Sequence, residues 1–288
     1  MFSLFKKRPK IGLALGGGGP KGLAHIGVIK SLIKHNIPID FIAGTSAGSI
    51  AAIFYAARKN VYEMEEYIIK KNWWQMLSLV TDPSFKEGIL QGRRLQDFME
   101  GYLGKNLQFS DLKIPCKAVA VDLKDGKVVA IDQGSVVTGI LASSAAPMIL
   151  RPVLLDGRFL VDGGITSPVP VSTVRKMGAD IVIGVNLEKH YSYDDISGQM
   201  NFLSVARHSF SVMIHNIASY EVKQADLVIA PNISNIHWKT LLQEKDKIEG
   251  IRHGEIAMDE GILSLEVLIK SKQPFFPSLF HKLKKVFT

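Results

Sequence analysis

The chain has 288 residues, 47% of them hydrophobic, enough to bury a sizeable core in one large α/β domain or two small ones. A single cysteine, Cys116, excludes an internal disulfide, and no stretch approaches the ~20 apolar residues that a membrane-spanning helix needs. The net charge of +8 belongs to the ends: residues 1–10 carry +4 and 270–288 carry +5, which leaves 11–269 at −1 and argues against nucleic acid as the partner of the body.

No linker, fixed-period repeat or low-complexity tract divides the sequence. The expected organisation is a basic tail over 1–10, one domain over 11–269 and a basic tail over 270–288. At the start, Phe2, Leu4 and Phe5 precede Lys6, Lys7, Arg8 and Lys10, the reverse of the charge-then-apolar order of a secretory signal. A cytoplasmic protein is expected.

Residues 11–15 read as a buried strand, followed at once by Gly16, Gly17, Gly18, Gly19, Pro20, Lys21 and Gly22, then by a helix phased by Leu23, Ile26, Ile29, Leu32 and Ile33. Pro20 suits a first helical turn, and a glycine loop at a helix N-terminus turns several backbone N–H groups toward an anion. A P-loop is excluded because neither Ser nor Thr follows Lys21. The dinucleotide pattern Gly17-x-Gly19-x-x-Gly22 lacks its acidic residue about twenty positions on. Two readings remain. One is an oxyanion hole made by the amides of Gly17, Gly18 and Gly19, with Lys21 tolerated against the helix dipole because an anion binds there. The other is a tight βα turn, which needs only one or two of the four glycines.

Residues 40–59 read as a short strand running into an Ala-rich helix through Gly44-Thr45-Ser46-Ala47-Gly48. A nucleophilic serine at such a turn sits in a cramped backbone, so the residues two before and two after must be small. Gly44 and Gly48 meet that need, and a merely tight strand–helix turn is the alternative. Residues 62–80, with Tyr67, Ile68, Trp73, Trp74, Met76 and Leu77, form an apolar stripe that reads either as a lid or acyl-chain wall or as a helix packed on the core.

A helix is expected over 92–102, a strand over 116–123, and a hairpin through Asp125-Gly126 into 128–131. Residues 136–146 read as a helix stopped by Pro147, and 152–155 with 158–161 as a second hairpin. That hairpin ends in Asp162-Gly163-Gly164, either an active-site carboxylate at a strand end or an ordinary turn. A helix over 170–177, a fully apolar strand over 180–187, a helix over 203–224, a strand over 226–231 and a helix within 239–269 complete the chain. The alternation predicts a three-layer α/β/α domain with a mostly parallel central sheet.

The glycine loop after the first strand, Gly-x-Ser-x-Gly after the second and Asp-Gly-Gly later, in that order, resemble the patatin-like phospholipase family over about residues 11–231. The resemblance implies a Ser–Asp dyad that hydrolyses acyl esters of lipids through an acyl-enzyme; separately, no His, Cys, Asp or Glu cluster has metal-ligand spacing, and neither metal nor cofactor is expected. Ser46 would be the nucleophile, Asp162 the base, and Gly17, Gly18 and Gly19 the oxyanion loop. Lys21 stands where the family often has arginine. Gly22, Gly44, Gly48, Gly163 and Gly164 are the remaining motif glycines, the last where many members have alanine.

A Ser46–Asp162–His190 triad is the rival hydrolase reading, and His25 reads as a packed helix residue. A non-catalytic adaptor that binds an acyl or phosphorylated ligand is the rival from another class. In the C-terminal tail Leu279, Phe280, Leu283, Val286 and Phe287 share a helical face, with Lys282, Lys284 and Lys285 largely elsewhere. This reads either as peripheral attachment to an anionic membrane surface or as a solvated tail.

Overall fold

The computed structural model describes residues 8–71, 92–189, 202–234, 236 and 243–273. His190, the tryptophans of the apolar stripe and most of both basic tails lie outside them.

The elements run β1 (Ile11–Leu15), a 3-10 turn (Gly19–Gly22), α1 (Leu23–Lys34), β2 (Phe41–Thr45), α2 (Ala47–Arg58), α3 (Val61–Ile69), α4 (Arg93–Leu103) and β3 (Cys116–Asp122). They continue with β4 (Val128–Ile131), α5 (Val136–Ser143), β5 (Val153–Leu155), β6 (Arg158–Asp162), α6 (Val171–Lys176), β7 (Ile181–Val185), α7 (Phe202–Glu221), β8 (Leu227–Ile229) and α8 (Glu244–Ser271). The sheet order is β5-β6-β3-β2-β1-β7-β8, with β4 also paired to β3. Strands β1, β2, β3, β7 and β8 are parallel; β4 and β6 run antiparallel to β3, and β5 antiparallel to β6.

Strands β1 and β7 are apolar throughout because both of their faces are covered. Leu13, Leu15, Ile181 and Ile183 enter the larger core with α1, α2, α5 and α8. Ala14 and Val182 enter the smaller one with Val171 and Val174 of α6 and Ala218 of α7. The expected three layers are therefore present. Helices α3 and α4 pack outside α2, where the Phe54 ring stacks on Phe98 and Tyr102.

Strand β3 decides where the site forms. Its residues 116–119 pair with β2, and 118–121 pair with β4 on the opposite side. Beyond the end of β2, residues 120–122 pair with β6, which must lie on the side that β2 has vacated. The last pair of β2 is Thr45 with Val119, and the last pair of β6 is Asp162 with Ala120. Two strands thus meet end to end along β3, and their final residues bring Ser46 and Asp162 to the same point. The opposite edge of the sheet holds both ends of the described chain. Arg8 pairs there with Asp40, and Lys272 with Asp226, each just before a strand.

One expected helix is shorter than its sequence pattern. Helix α5 ends at Ser143 rather than at Ala146, because the residue before Pro147 is driven from helical geometry and the chain turns to let Ala145 accept the Asp162 N–H.

Lys247 of α8 is 1% exposed, and its Nζ donates to the carbonyls of Ile68, Ile69 and Lys71 at 3.3, 3.2 and 2.5 Å. A cation there satisfies the last carbonyls of α3 and complements its dipole. Lys247→Met leaves those carbonyls without a donor and is expected to cost about 1–3 kcal/mol, read as a lower urea midpoint at unchanged m-value.

Candidate active site

Gly44 and Gly48 let strand and helix close around Ser46. A Cβ on Gly44 would stand 2.1 Å from the Gly48 carbonyl oxygen, and one on Gly48 would stand 2.2 Å from that of Leu15. Neither position accepts any other residue. Between them Ser46 has φ 53° and ψ −124°, a conformation unfavourable for a residue with a side chain.

Several hydrogen bonds hold it there. The Ser46 N–H donates to Ser143 Oγ at 3.0 Å, and that hydroxyl donates to the Val119 carbonyl at 2.6 Å. The Ser46 carbonyl accepts Ser49 Oγ at 2.7 Å and the Ser49 N–H at 2.8 Å. Ser143 was not legible as a site residue, since it closes an apolar helix nearly a hundred positions away.

The Ser46 hydroxyl lies near enough to the Asp162 carboxylate to favour its charge, and the carboxylate accepts the Gly164 N–H at 2.8 Å. Asp162 is 8% exposed. Burial pushes its pKa up to about 6, against the nearby Ser46 hydroxyl and the Gly164 N–H, which favour its charge. Gly163 follows with its Cα against the Val119 carbonyl, where a Cβ would approach to 2.4 Å.

The glycine loop is divided in its roles. The Gly16 N–H donates to Val185 O at 3.0 Å and the Gly17 N–H to Pro168 O at 2.9 Å, so Gly17 anchors the loop and its amide is already committed. The N–H groups of Gly18 and Gly19 have no acceptor among the described residues. Ala47, at the start of α2, also lines the cavity with its N–H unpaired in the same way. Gly22 faces the Ala47 side chain.

Lys21 departs from expectation. It is outside the cavity lining, and its Nζ pairs with Glu188 Oε2 at 3.2 Å, so an internal carboxylate answers its charge. His25 is fully buried, with Nε2 2.7 Å from the Gly16 carbonyl oxygen; burial lowers its pKa to about 4 and keeps it neutral. It supports the root of the loop, as its place on α1 suggested.

Ser46, Asp162, Gly17, Gly18, Gly19 and Gly164 all border one cavity of about 580 Å³ at the C-terminal edge of the parallel strands. The glycine loop leaves β1 where the strand order reverses between β2 and β7, the place where open α/β sheets bind ligands. The inner walls are apolar, with Ile26, Ile50, Met64, Ile68, Leu95 and Phe98 from α1 to α4. The part of the apolar stripe that is described, Ile68 on α3, therefore belongs to the cavity wall, while Tyr67 packs among the aromatic rings of α2 and α4.

The sequence model of patatin-like phospholipases matches residues 13–175, more than half of the chain. The chain belongs to the patatin-like phospholipase family. An uncharacterised NTE family protein of Mycobacterium tuberculosis is 37% identical over 185 residues, which cover 62% of this chain and 49% of that protein. Lysophospholipase NTE1 of Candida albicans is 31% identical over 195 residues, 62% of this chain and 13% of that protein. The match thus spans about half the length of the mycobacterial relative and a small part of the fungal one. The crystal structure of VipD from Legionella pneumophila aligns with a TM-score of 0.52 over 90% of this chain and 67% of that one, at 13% identity. It shares the patatin-like fold.

The folded chain holds the Asp162 proton more tightly than the unfolded chain, where the carboxyl titrates at its ordinary value of 3.8. This group's contribution to stability therefore declines as pH rises from 3.8 through about 6 and is constant above that. Asp162→Asn is expected to raise the melting temperature by a few degrees at pH 8, and by less at pH 5 where the native carboxyl is largely protonated; calorimetry at both pH values checks this.

Proposed function

We propose that this chain is a lipid acyl hydrolase that works through a Ser46–Asp162 dyad and an acyl-enzyme. The observation that carries the reading is a strained serine that shares one apolar cavity with a desolvated carboxylate and with unpaired loop amides. Family membership and the lysophospholipase among the relatives support a lipid ester as substrate.

In the first half-reaction Ser46 Oγ attacks the ester carbonyl carbon while Asp162 takes the hydroxyl proton. The carbonyl electrons move to oxygen, and the resulting anion is met by the Gly18 and Gly19 amides, with Ala47 N–H as a third donor. Collapse expels the alcohol, which leaves with the proton from Asp162. In the second half Asp162 deprotonates a water that attacks the acyl-enzyme, and Ser46 recovers its proton as the fatty acid departs. A carboxyl with a pKa near 6 is a stronger base than an exposed aspartate and is still ionised at neutral pH.

The acyl chain lies along the wall formed by Ile50, Met64, Ile68 and Phe98, and the polar part of the lipid remains at the mouth. The basic composition of 1–10 and 270–288 supports peripheral attachment to an anionic membrane. No helix among the described residues is long and apolar enough to cross a membrane.

Release of fatty acid from lysophospholipid micelles by the purified chain tests the reading. Ser46→Ala is expected to fall to background, and Asp162→Asn to lose about 10²-fold or more, with both variants folded. An active Ser46→Ala would overturn the assignment. The kcat/KM of wild type is expected to rise with pH through about 6 and then level, as the base becomes ionised. Ile50→Trp narrows the cavity and is expected to lower kcat/KM for a long-chain p-nitrophenyl ester by about tenfold relative to the butyrate, as measured with the two esters side by side.

A further inference from the structure

Every motif of the site is tied to one short segment that belongs to none of them. Ser167, Pro168 and Val169 follow the Asp162 turn and run beneath the cavity. The Ser167 N–H donates to the Gly163 carbonyl at 2.8 Å, and the Ser167 carbonyl accepts Thr45 Oγ1 at 2.8 Å. The Pro168 carbonyl accepts the Gly17 N–H at 2.9 Å. The acid turn, the residue preceding the nucleophile and the root of the glycine loop are therefore all bonded to two adjacent residues, Ser167 and Pro168.

The far side of that segment rests on Glu221, the last residue of α7. Its Oε1 accepts the Ser167 hydroxyl at 2.5 Å and its Oε2 accepts the Val169 N–H at 2.8 Å. Glu221 is 8% exposed and forms no ion pair among the described residues. A carboxylate in this place is opposed both by burial and by the negative end of a helix dipole. Burial pushes its pKa up to about 7 in spite of the two hydrogen bonds. A neutral amide would suffer neither penalty and could make both contacts, with its oxygen accepting Val169 N–H and its nitrogen donating to Ser167 Oγ.

We propose that Glu221 is a positioning residue of the hydrolytic site: by fixing Ser167 and Val169 it sets the spacing between the nucleophile turn, the oxyanion loop and the Asp162 turn. It touches neither the substrate nor the reacting atoms. The inference rests on the hydrolase reading for its kinetic consequence, while its structural consequence stands independently. Removing the carboxyl frees the segment to shift, and three groups that must share one geometry lose their common support. A displacement of about 1 Å at reacting groups is enough to cost on the order of 10²-fold in rate.

The test compares Glu221→Ala, Glu221→Gln and Ser167→Ala with wild type and with Ser46→Ala. Two readouts are used: steady-state hydrolysis of a p-nitrophenyl ester, and deuterium uptake in peptides covering 12–22, 41–50 and, as a remote control, 255–268. In Glu221→Ala kcat is expected to fall about tenfold or more with KM within about threefold. Uptake should rise over 12–22 and 41–50 and stay unchanged over 255–268. Glu221→Gln is expected to restore both readouts to within about threefold of wild type, and Ser167→Ala to show a smaller effect of the same kind. Wild-type kcat with unchanged uptake in Glu221→Ala would overturn the proposal, as would a Glu221→Gln variant as impaired as Glu221→Ala. If Glu221→Ala does not fold, Ser167→Ala decides: unchanged uptake at both motif peptides counts against the proposal. Turnover that survives in Ser46→Ala removes the hydrolase reading alone, and the uptake result still judges the role of Glu221.

Discussion

A carboxylate kept out of water beside a hydroxyl is the constraint on which the site depends. Asp162 is charged only at a cost, because burial opposes ionisation more strongly than the Ser46 hydroxyl and the Gly164 N–H favour it. That cost is the source of its basicity. The surrounding structure keeps water away while leaving the Ser46 hydroxyl within reach, through the backbone contact of Gly163 with Val119 and the bond from the Asp162 N–H to Ala145. The strained backbone of Ser46 persists for the same reason. Bonds through Ser143 and Ser49 over-determine a conformation that the residue alone would leave.

The parts of the site that are local in sequence were legible there. Gly44 and Gly48 flank Ser46 at fixed spacing because a single turn needs them, and the two glycines after Asp162 mark where a strand stops. The alternation of apolar strands and helices likewise carried the three layers. What could not be read is the set of partners from distant elements. The pattern of four glycines does not say that the Gly17 amide is taken by Pro168, which leaves Gly18 and Gly19 to face the cavity. Nor does the sequence show that Glu188 answers Lys21 across 167 positions, or that Glu221 reaches Ser167 across 54. Each of these depends on the sheet order, which sequence periodicity does not encode.

The cavity and the described residues at the two chain ends, Arg8 and Lys272, lie at opposite edges of the sheet. The hydrolytic groups lie at the C-terminal edge of the parallel strands, with the apolar wall of α1 to α4 beside them. Arg8 and Lys272 are held by Asp40 and Asp226 at the other edge. These two cations are therefore separated from Ser46 and Asp162 by the height of the sheet, and the sequence between the basic tails is close to neutral.

The shared side of β3 bears also on how such a site comes into existence. Ser46 and Asp162 approach one another only when β6 has taken the stretch of β3 that β2 leaves open, and β6 pairs there with reversed direction. A chain emerging from the ribosome carries Ser46 long before Asp162, and Glu221, on which residues 167 and 169 rest, later still. Without the β3–β6 pairing Ser46 has no Asp162 beside it. Under the proposed mechanism, competence to cleave esters arrives only once β3 has paired with both β2 and β6, so a chain lacking either pairing would be inert.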